Sequence, residues 1–377
     1  MVMASGTRKE HNGNSRGARY VRVMMGLLMA AVAAAAPLWL NSDTLSDYTR
    51  KAAIFSARLQ TPAAQPAQGL VSKEAEETAP PEGEVVEPVA TTAEEATTAA
   101  PTTTTTTTAP TQPPEGRKPI SEVQLGSTKL KSGNVSVKNG TSYSIDIDKV
   151  LKEKPDCKIK LNAGYQVLIM HTHTTECYAE DSSGSYDPNY SPRTTDKSQS
   201  VIALGDVIAD KLEAAGIRTL HATTVHDYPQ YNGSYDRALE TISGYLEQHP
   251  SIEMVIDVHR DAMTQDDGTK LKPTAVINGK KAAQVMIITG CDADGTLYFP
   301  EWRKNLRMAM QLQKKVADNY SGLMRPLYFA PFRYNMHMTP NSLLLEFGTD
   351  ANTLEEALYS AELVGTQLAE LLKGYEV

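Results

Sequence analysis

Gln166-Val-Leu-Ile-Met170-His171-Thr172-His173-Thr174-Thr175-Glu176 is the stretch on which the fold reading turns. Four consecutive apolar residues between polar ones have the length and β-branched content of a strand buried on both faces. Such strands belong to sheets covered by helices. This one runs directly into two histidines and a glutamate. Residues two apart on extended backbone project to the same side. His171 and His173 therefore suit two ligands on one metal, or one ligand and one supporting residue. In open α/β sheets such groups assemble at the carboxyl ends of the strands.

Two further apolar runs end the same way. Met254-Val-Ile256 leads into Asp257-Val-His259-Arg260-Asp261. A strand end this rich in ionisable groups is costly unless they are paired or bind something. His259 reads as a metal ligand, and Arg260 as a salt-bridge partner of Asp257 or Asp261 or as a substrate anchor. Leu343-Leu-Leu345 leads into Glu346-Phe-Gly348. Desolvation at the end of an apolar run raises a carboxyl pKa, which suits Glu346 to general-base work. Between these runs, Arg193-Thr-Thr-Asp196-Lys-Ser198 opens a helix. Asp196 is either the N-cap of that helix or an oxygen ligand.

Histidine with carboxylate and no thiolate is the ligand set of a catalytic zinc that keeps one position open for water. Such an ion acidifies water and polarises an amide carbonyl. On this reading the chain is a metal-dependent amide hydrolase.

Outward from these strands the pattern alternates. Short strands are predicted within 133–149, then strands at 166–170, 217–221, 252–258, 284–289 and 343–347. Helices are predicted at 198–215, 235–248 and 301–320. A last helix runs to about residue 373, capped by Thr353 with Glu355 and Glu356 in its first turn. Residues 264–281 read as a turn-rich insertion. The expected class is α/β, with a mostly parallel sheet flanked by crossover helices.

The whole chain has 377 residues, 41% of them apolar, and a formal net charge of −8. The charge is unevenly placed: +5 over residues 1–58, −8 over 59–116 and −5 over 117–377. Residues 1–22 form a basic N-terminus, read as cytoplasmic. Residues 23–40 are 18 uncharged residues, which as a helix would span roughly 27 Å, enough to cross a hydrocarbon core. The basic residues before it favour an N-in orientation, with everything downstream outside the cytoplasm. The segment is read as a single-pass signal anchor in the cell membrane; the competing reading is a signal peptide cut after the alanines at 33–36. Residues 41–116 collapse in their latter part to Thr, Pro, Ala and Glu, with seven consecutive threonines at 102–108. They are expected to form a disordered tether with almost nothing to bury. Residues 117–377 then form the catalytic domain. No basic face or RNA-type motif points to nucleic acid. Cys157, Cys177 and Cys291 are too few and too scattered for a disulfide framework or a cysteine-rich zinc site.

Four motifs carry a resemblance. His171-Thr-His-Thr-Thr-Glu-Cys-Tyr178, Tyr231-Asn-Gly-Ser-Tyr-Asp-Arg237, Asp257-Val-His-Arg-Asp261 and Pro340-Asn-Ser-Leu-Leu-Leu-Glu-Phe-Gly348 resemble, in order, those of the stage II sporulation protein P family. The resemblance covers about 133–377. It implies a zinc-dependent N-acetylmuramoyl-L-alanine amidase acting on peptidoglycan, with stem-peptide endopeptidase activity besides. It also implies action with the sporulation proteins D and M during forespore engulfment, in the septal space between forespore and mother cell. A more distant resemblance is to zinc amidases of the amidase 3 type. It implies His173, Asp196 and His259 as metal ligands and Glu346 as catalytic glutamate. Asp196 stands where that family has Glu, so Glu176 competes for the middle position. His171 then becomes a supporting or substrate-contacting residue, and His337 falls near the rim of the site.

Two other functions compete. One is a catalytically weak peptidoglycan-binding adaptor that holds a partner hydrolase. The other is a cysteine peptidase using Cys177 with His171 or His173.

Overall fold

The computed structural model describes residues 113–377. The basic N-terminus at 1–22, the membrane anchor at 23–40 and all but the last four residues of the tether at 41–116 lie outside the described residues. Among the described residues no helix is long and apolar enough to cross a membrane.

The strands are β1 (Lys118–Val123), β2 (Lys131–Ser132), β3 (Val135–Asn139), β4 (Val167–Met170), β5 (Ser185–Tyr186), β6 (Thr219–His221), β7 (Met254–Asp261), β8 (Lys270–Ile277), β9 (Lys280–Ala283), β10 (Val285–Gly290), β11 (Leu327–Ala330) and β12 (Leu343–Thr349). The α-helices are α1 (Ile147–Lys152), α2 (Ile202–Ala214), α3 (Ser234–Gln248), α4 (Trp302–Asn319) and α5 (Leu354–Lys373), with one 3-10 turn at Met336–Met338.

Eight strands form the main sheet in the order β2-β3-β11-β10-β12-β7-β4-β6. The expected α/β class holds, and most neighbours are parallel. The sheet is nevertheless two parallel blocks running in opposite directions. β6, β4, β7 and β12 form one block, and β10, β11 and β3 form the other. They meet at the antiparallel β10–β12 pair. All four residues of β4 are fully buried, as an unbroken apolar run requires in a sheet covered on both faces.

The helices cover this sheet through their apolar faces. α2 buries Ile202, Leu204, Ile208 and Leu212 and packs against α5, β4 and β6. α4 lies against β10, β11 and β3 and also touches α5. α5 begins in a full capping box: Thr353 accepts from the Glu356 backbone and the Glu356 side chain accepts from the Thr353 backbone, two otherwise unpaired donors satisfied reciprocally.

The stretch expected to be a turn-rich insertion is instead a hairpin. β8 and β9 pair antiparallel across Asn278-Gly279, both at positive φ, the left-handed pair that a two-residue hairpin turn demands. With β1 and β5 they form a second sheet, β5-β1-β8-β9. Neither β1 nor β11 appears in the sequence reading. Helix α2 starts at Ile202 rather than 198.

β4, β7 and β12 lie side by side at the centre of the first block. Met170 is the ladder partner of Asp257, and His259 that of Glu346. The three strand ends that carry chemistry are therefore neighbours.

Candidate active site

The segment after β4 leaves the sheet in tight turns held by two buried carboxylates. Asp257 accepts from the Thr172 backbone at 2.8 Å and from its hydroxyl at 2.6 Å. Asp227 accepts from the Thr175 backbone at 3.0 Å and from its hydroxyl at 2.8 Å. Arg193 completes the second clamp with a 2.7 Å ion pair to Asp227. Thr172 and Thr175, on either side of His173, thus fix the path on which His173 and Glu176 are carried.

His173, Glu176, His259 and Glu346 converge. The rings of His173 and His259 meet edge to face, centroids 5.3 Å apart. Glu176 Oε2 lies 3.5 Å from His259 Nδ1 and accepts from the Arg260 backbone at 3.1 Å. Asp257 Oδ1 stands 2.8 Å from His259 Nε2. That contact is off the line of the ring N–H, and Nε2 is left without a hydrogen bond. Tyr231 stacks on His173, centroids 4.6 Å apart and planes 11° apart. Its hydroxyl hydrogen-bonds with His173 Nε2 at 3.1 Å.

Two carboxyls in the cluster are driven in opposite directions. Glu346 is half-buried as a residue, but its Oε2 is buried and has no hydrogen-bond partner. Burial pushes its pKa up to about 8. Burial also works on Glu176, but the His259 hydrogen bond and the Arg260 charge outweigh it and hold that carboxyl well below the usual range. A pair of carboxyls separated in this way divides into a standing anion and a proton carrier. Burial pushes His173 down to about 4, which keeps its imidazole neutral.

Other residues singled out in the sequence lie elsewhere. Asp196 is exposed, and its Oδ1 accepts from the Ser198 backbone and hydroxyl. It closes a local Asx turn and caps no helix, since α2 begins six residues later. The expectation of Asp196 as middle ligand is corrected, and the carboxylate at the cluster is Glu176. Arg260 is buried, and its guanidinium donates to the carbonyls of Cys177, Pro192 and Asp261. It therefore clamps the chain after Glu176 rather than facing a substrate. His171 donates from Nδ1 to the Val258 carbonyl at 2.9 Å, and its Nε2 lies 2.8 Å from His221 Nε2. His221 in turn bonds Asp206. His171 thus supports the base of the cluster and does not line it. Gly205 makes room for this pair, since a Cβ there would lie 2.4 Å from His221 Nε2. His337 packs edge-on against Phe299 and makes no hydrogen bond to the cluster. Cys177 Sγ pairs with the Tyr190 hydroxyl, and burial raises its thiol pKa, so the geometry of a Cys–His nucleophile is missing.

Sequence reasoning overlooked the service of Tyr231 and Ser234. Ser234 Oγ lies 3.4 Å from His173 Nδ1. The motif at 231–237 was the available signal, but nothing local says which histidine it serves.

The donor set at the cluster, two imidazoles and a carboxylate with an orphaned His259 Nε2, fits a zinc ion in kind. Among the described residues no three such side chains already stand as a closed metal-binding group.

The chain has relatives among known proteins. A family model described as Stage II sporulation protein P (SpoIIP) matches residues 65–369. A curated protein of Bacillus subtilis (strain 168), "Stage II sporulation protein P", is 28% identical over 216 residues, or 54% of this chain. The match spans 50% of that relative's length. Among solved structures, the N-acetylmuramoyl-L-alanine amidase AmiC2 of Nostoc punctiforme is 12% identical, with TM-score 0.33, over 56% of this chain and 98% of that one. The CwlD amidase of Clostridioides difficile, in complex with the GerS lipoprotein, is 12% identical, with TM-score 0.34 and the same coverage.

Proposed function

Since the chain belongs to the stage II sporulation protein P family, we propose that it is a sporulation peptidoglycan hydrolase that cleaves the N-acetylmuramoyl-L-alanine amide bond. The observation that carries this reading is the meeting of His173, Glu176 and His259 with Glu346, whose buried Oε2 has no partner. Metal-ligand chemistry and proton-transfer chemistry occur at one place.

His173, His259 and Glu176 would hold the zinc ion. Bound there, zinc supplies Lewis acidity toward the scissile carbonyl and lowers the pKa of water. Glu346 takes the proton of the attacking water and returns it to the departing amine nitrogen. A carboxyl poised near neutrality does both, because neither protonation state is far from the working pH. Tyr231, stacked on His173, holds that imidazole in orientation. Stem-peptide cross-links, whose scissile group is also an amide, are a second substrate of the same chemistry.

Digestion of purified peptidoglycan by the full chain, with and without zinc, tests this. Mass spectrometry is expected to find glycan strands without stem peptides, and free stem peptides, only with zinc. Intact muropeptides in both arms would overturn the hydrolase and leave the wall-binding adaptor.

The same proposal places the catalytic domain outside the cytoplasm, held to the membrane by residues 23–40 and working through the tether with the sporulation proteins D and M. Its support is the sequence pattern and the family. Protease accessibility of residues 117–377 in intact protoplasts checks the orientation.

A further inference from the structure

The motif at 231–237 supplies the cluster with more than the two hydroxyls on His173. Tyr235, in the first turn of α3, presents its ring edge-on to His173 at 5.7 Å and tilts against Tyr334 at 6.1 Å. Its main-chain carbonyl accepts from Asn335 Nδ2 at 2.8 Å. This ties the start of α3 to the loop that carries Tyr334. The Tyr235 ring is therefore held from both sides, yet its hydroxyl makes no hydrogen bond among the described residues.

Most other donors around the cluster are already engaged. Arg260 donates to three backbone carbonyls. Arg193 is paired with Asp227 and lies 3.9 Å from Glu176. The hydroxyls of Thr172 and Thr175 are held by Asp257 and Asp227, and those of Tyr231 and Ser234 lie on His173. Two phenols beside the cluster, Tyr235 and Tyr334, donate to no acceptor among the described residues, and of the two it is Tyr235 whose ring lies against His173. A tyrosine hydroxyl is a donor that ionises only near pH 10. Its proton is retained. Amide hydrolysis builds negative charge on the carbonyl oxygen, and a preplaced, water-shielded donor is worth most against such charge.

We propose that Tyr235 is a catalytic residue whose hydroxyl donates a hydrogen bond to the scissile carbonyl oxygen as it becomes an oxyanion. No bond to Tyr235 forms or breaks, and the proton stays on the phenol. The inference rests on the amide-hydrolase reading of the same site. It assigns Tyr235 to the carbonyl oxygen and leaves Glu346 as the proton carrier.

Tyr235→Phe keeps the ring and removes one oxygen, so a packing role predicts no change. The full chain with zinc is assayed on peptidoglycan, and a phosphinate mimic of the muramoyl-alanine amide is titrated by calorimetry. The expected result is a fall in kcat of roughly 100-fold with KM little changed. A similar loss of phosphinate affinity is expected, with unchanged zinc content and unchanged near-UV circular dichroism. Tyr334→Phe is expected to change neither quantity more than about threefold, since the Tyr334 ring lies against Tyr235 and not against His173. An active wild type with an equally active Tyr235→Phe that also binds the phosphinate normally overturns the inference alone. A wild type that leaves the wall intact overturns the hydrolase reading and this inference with it.

Discussion

Glu346 and His259 are ladder partners on adjacent parallel strands, and directly beyond Glu346 the register slips. Partners in a parallel ladder project to the same side of the sheet, so the pairing delivers carboxyl and imidazole to one place. The slip is built around Gly348 at φ +67, where a Cβ would lie 2.5 Å from Asn352 Oδ1 and 2.8 Å from Ala283 Cβ. Glu346 is thereby held at a fixed height beside His259.

Replacing Glu346 by Gln removes the proton carrier and keeps the shape. Its expected effect is a loss of roughly 10²–10⁴ in kcat on peptidoglycan, with zinc binding retained. An equally active Glu346→Gln chain would show that the proton travels by another group.

The raised Glu346 pKa also has a stability signature in the metal-free protein. The folded chain holds this proton up to about pH 8, whereas an unfolded chain releases it at an ordinary carboxyl pKa. Between those values the folded state binds the extra proton, so wild-type stability falls as pH rises. Glu346→Gln lacks that slope. Its stability advantage over wild type is expected to grow from about pH 4.5 to about pH 8, reaching roughly 2–4 kcal/mol. Denaturant melts of the two metal-free proteins across that range measure it.

The middle ligand is decided by two alanine variants. Glu176→Ala is expected to weaken zinc binding at least tenfold, and Asp196→Ala to leave it within about twofold. Competitive zinc titration reads both. The reverse outcome would return Asp196 to the site despite its exposed turn.

Gly205→Ala is expected to act against helix propensity. Alanine is favoured over glycine inside a helix by about 1 kcal/mol. Here the added carbon would lie 2.4 Å from His221 Nε2 and 2.9 Å from His171 Nε2. The net effect is expected to be destabilising by roughly 1–3 kcal/mol, read by denaturant unfolding. His221→Ala in the same chain is expected to recover part of it.

Cys177→Ser is expected to keep activity within about threefold, and chelation of zinc to abolish it. An inactive Cys177→Ser chain that still folds would revive a thiol mechanism.

Much of this site is legible in the sequence because its strands are buried on both faces. A fully apolar strand has no reason to end in His, Asp or Glu unless those groups are satisfied, so the endings after Met170, Ile256 and Leu345 stand out. What escapes is what depends on distant partners. Tyr231 and Ser234 lie about sixty residues from the histidine they contact, and no periodicity encodes that meeting. Asp196 misleads because a short Asx turn and a ligand share one composition. Ser198, two residues on, was the hint for the turn. The hairpin of β8 and β9 was announced by Asn278-Gly279, but charged Lys270, Lys272, Lys280 and Lys281 blur its alternation. The two-block sheet is invisible for another reason. Strand composition does not reveal that β10 runs against β12.

The pieces that meet at His173 come from the ends of β4, β7 and β12 and from the start of α3, and the carboxyls of Glu176 and Glu346 lie far apart in the chain. No local fragment holds the whole cluster: the segment after β4 brings His173 and Glu176 but neither His259 nor Glu346. Hydrolytic power therefore arrives all at once, with completion of the fold. A nascent or partly unfolded chain lacks the complete site, so the fold itself acts as the safety catch.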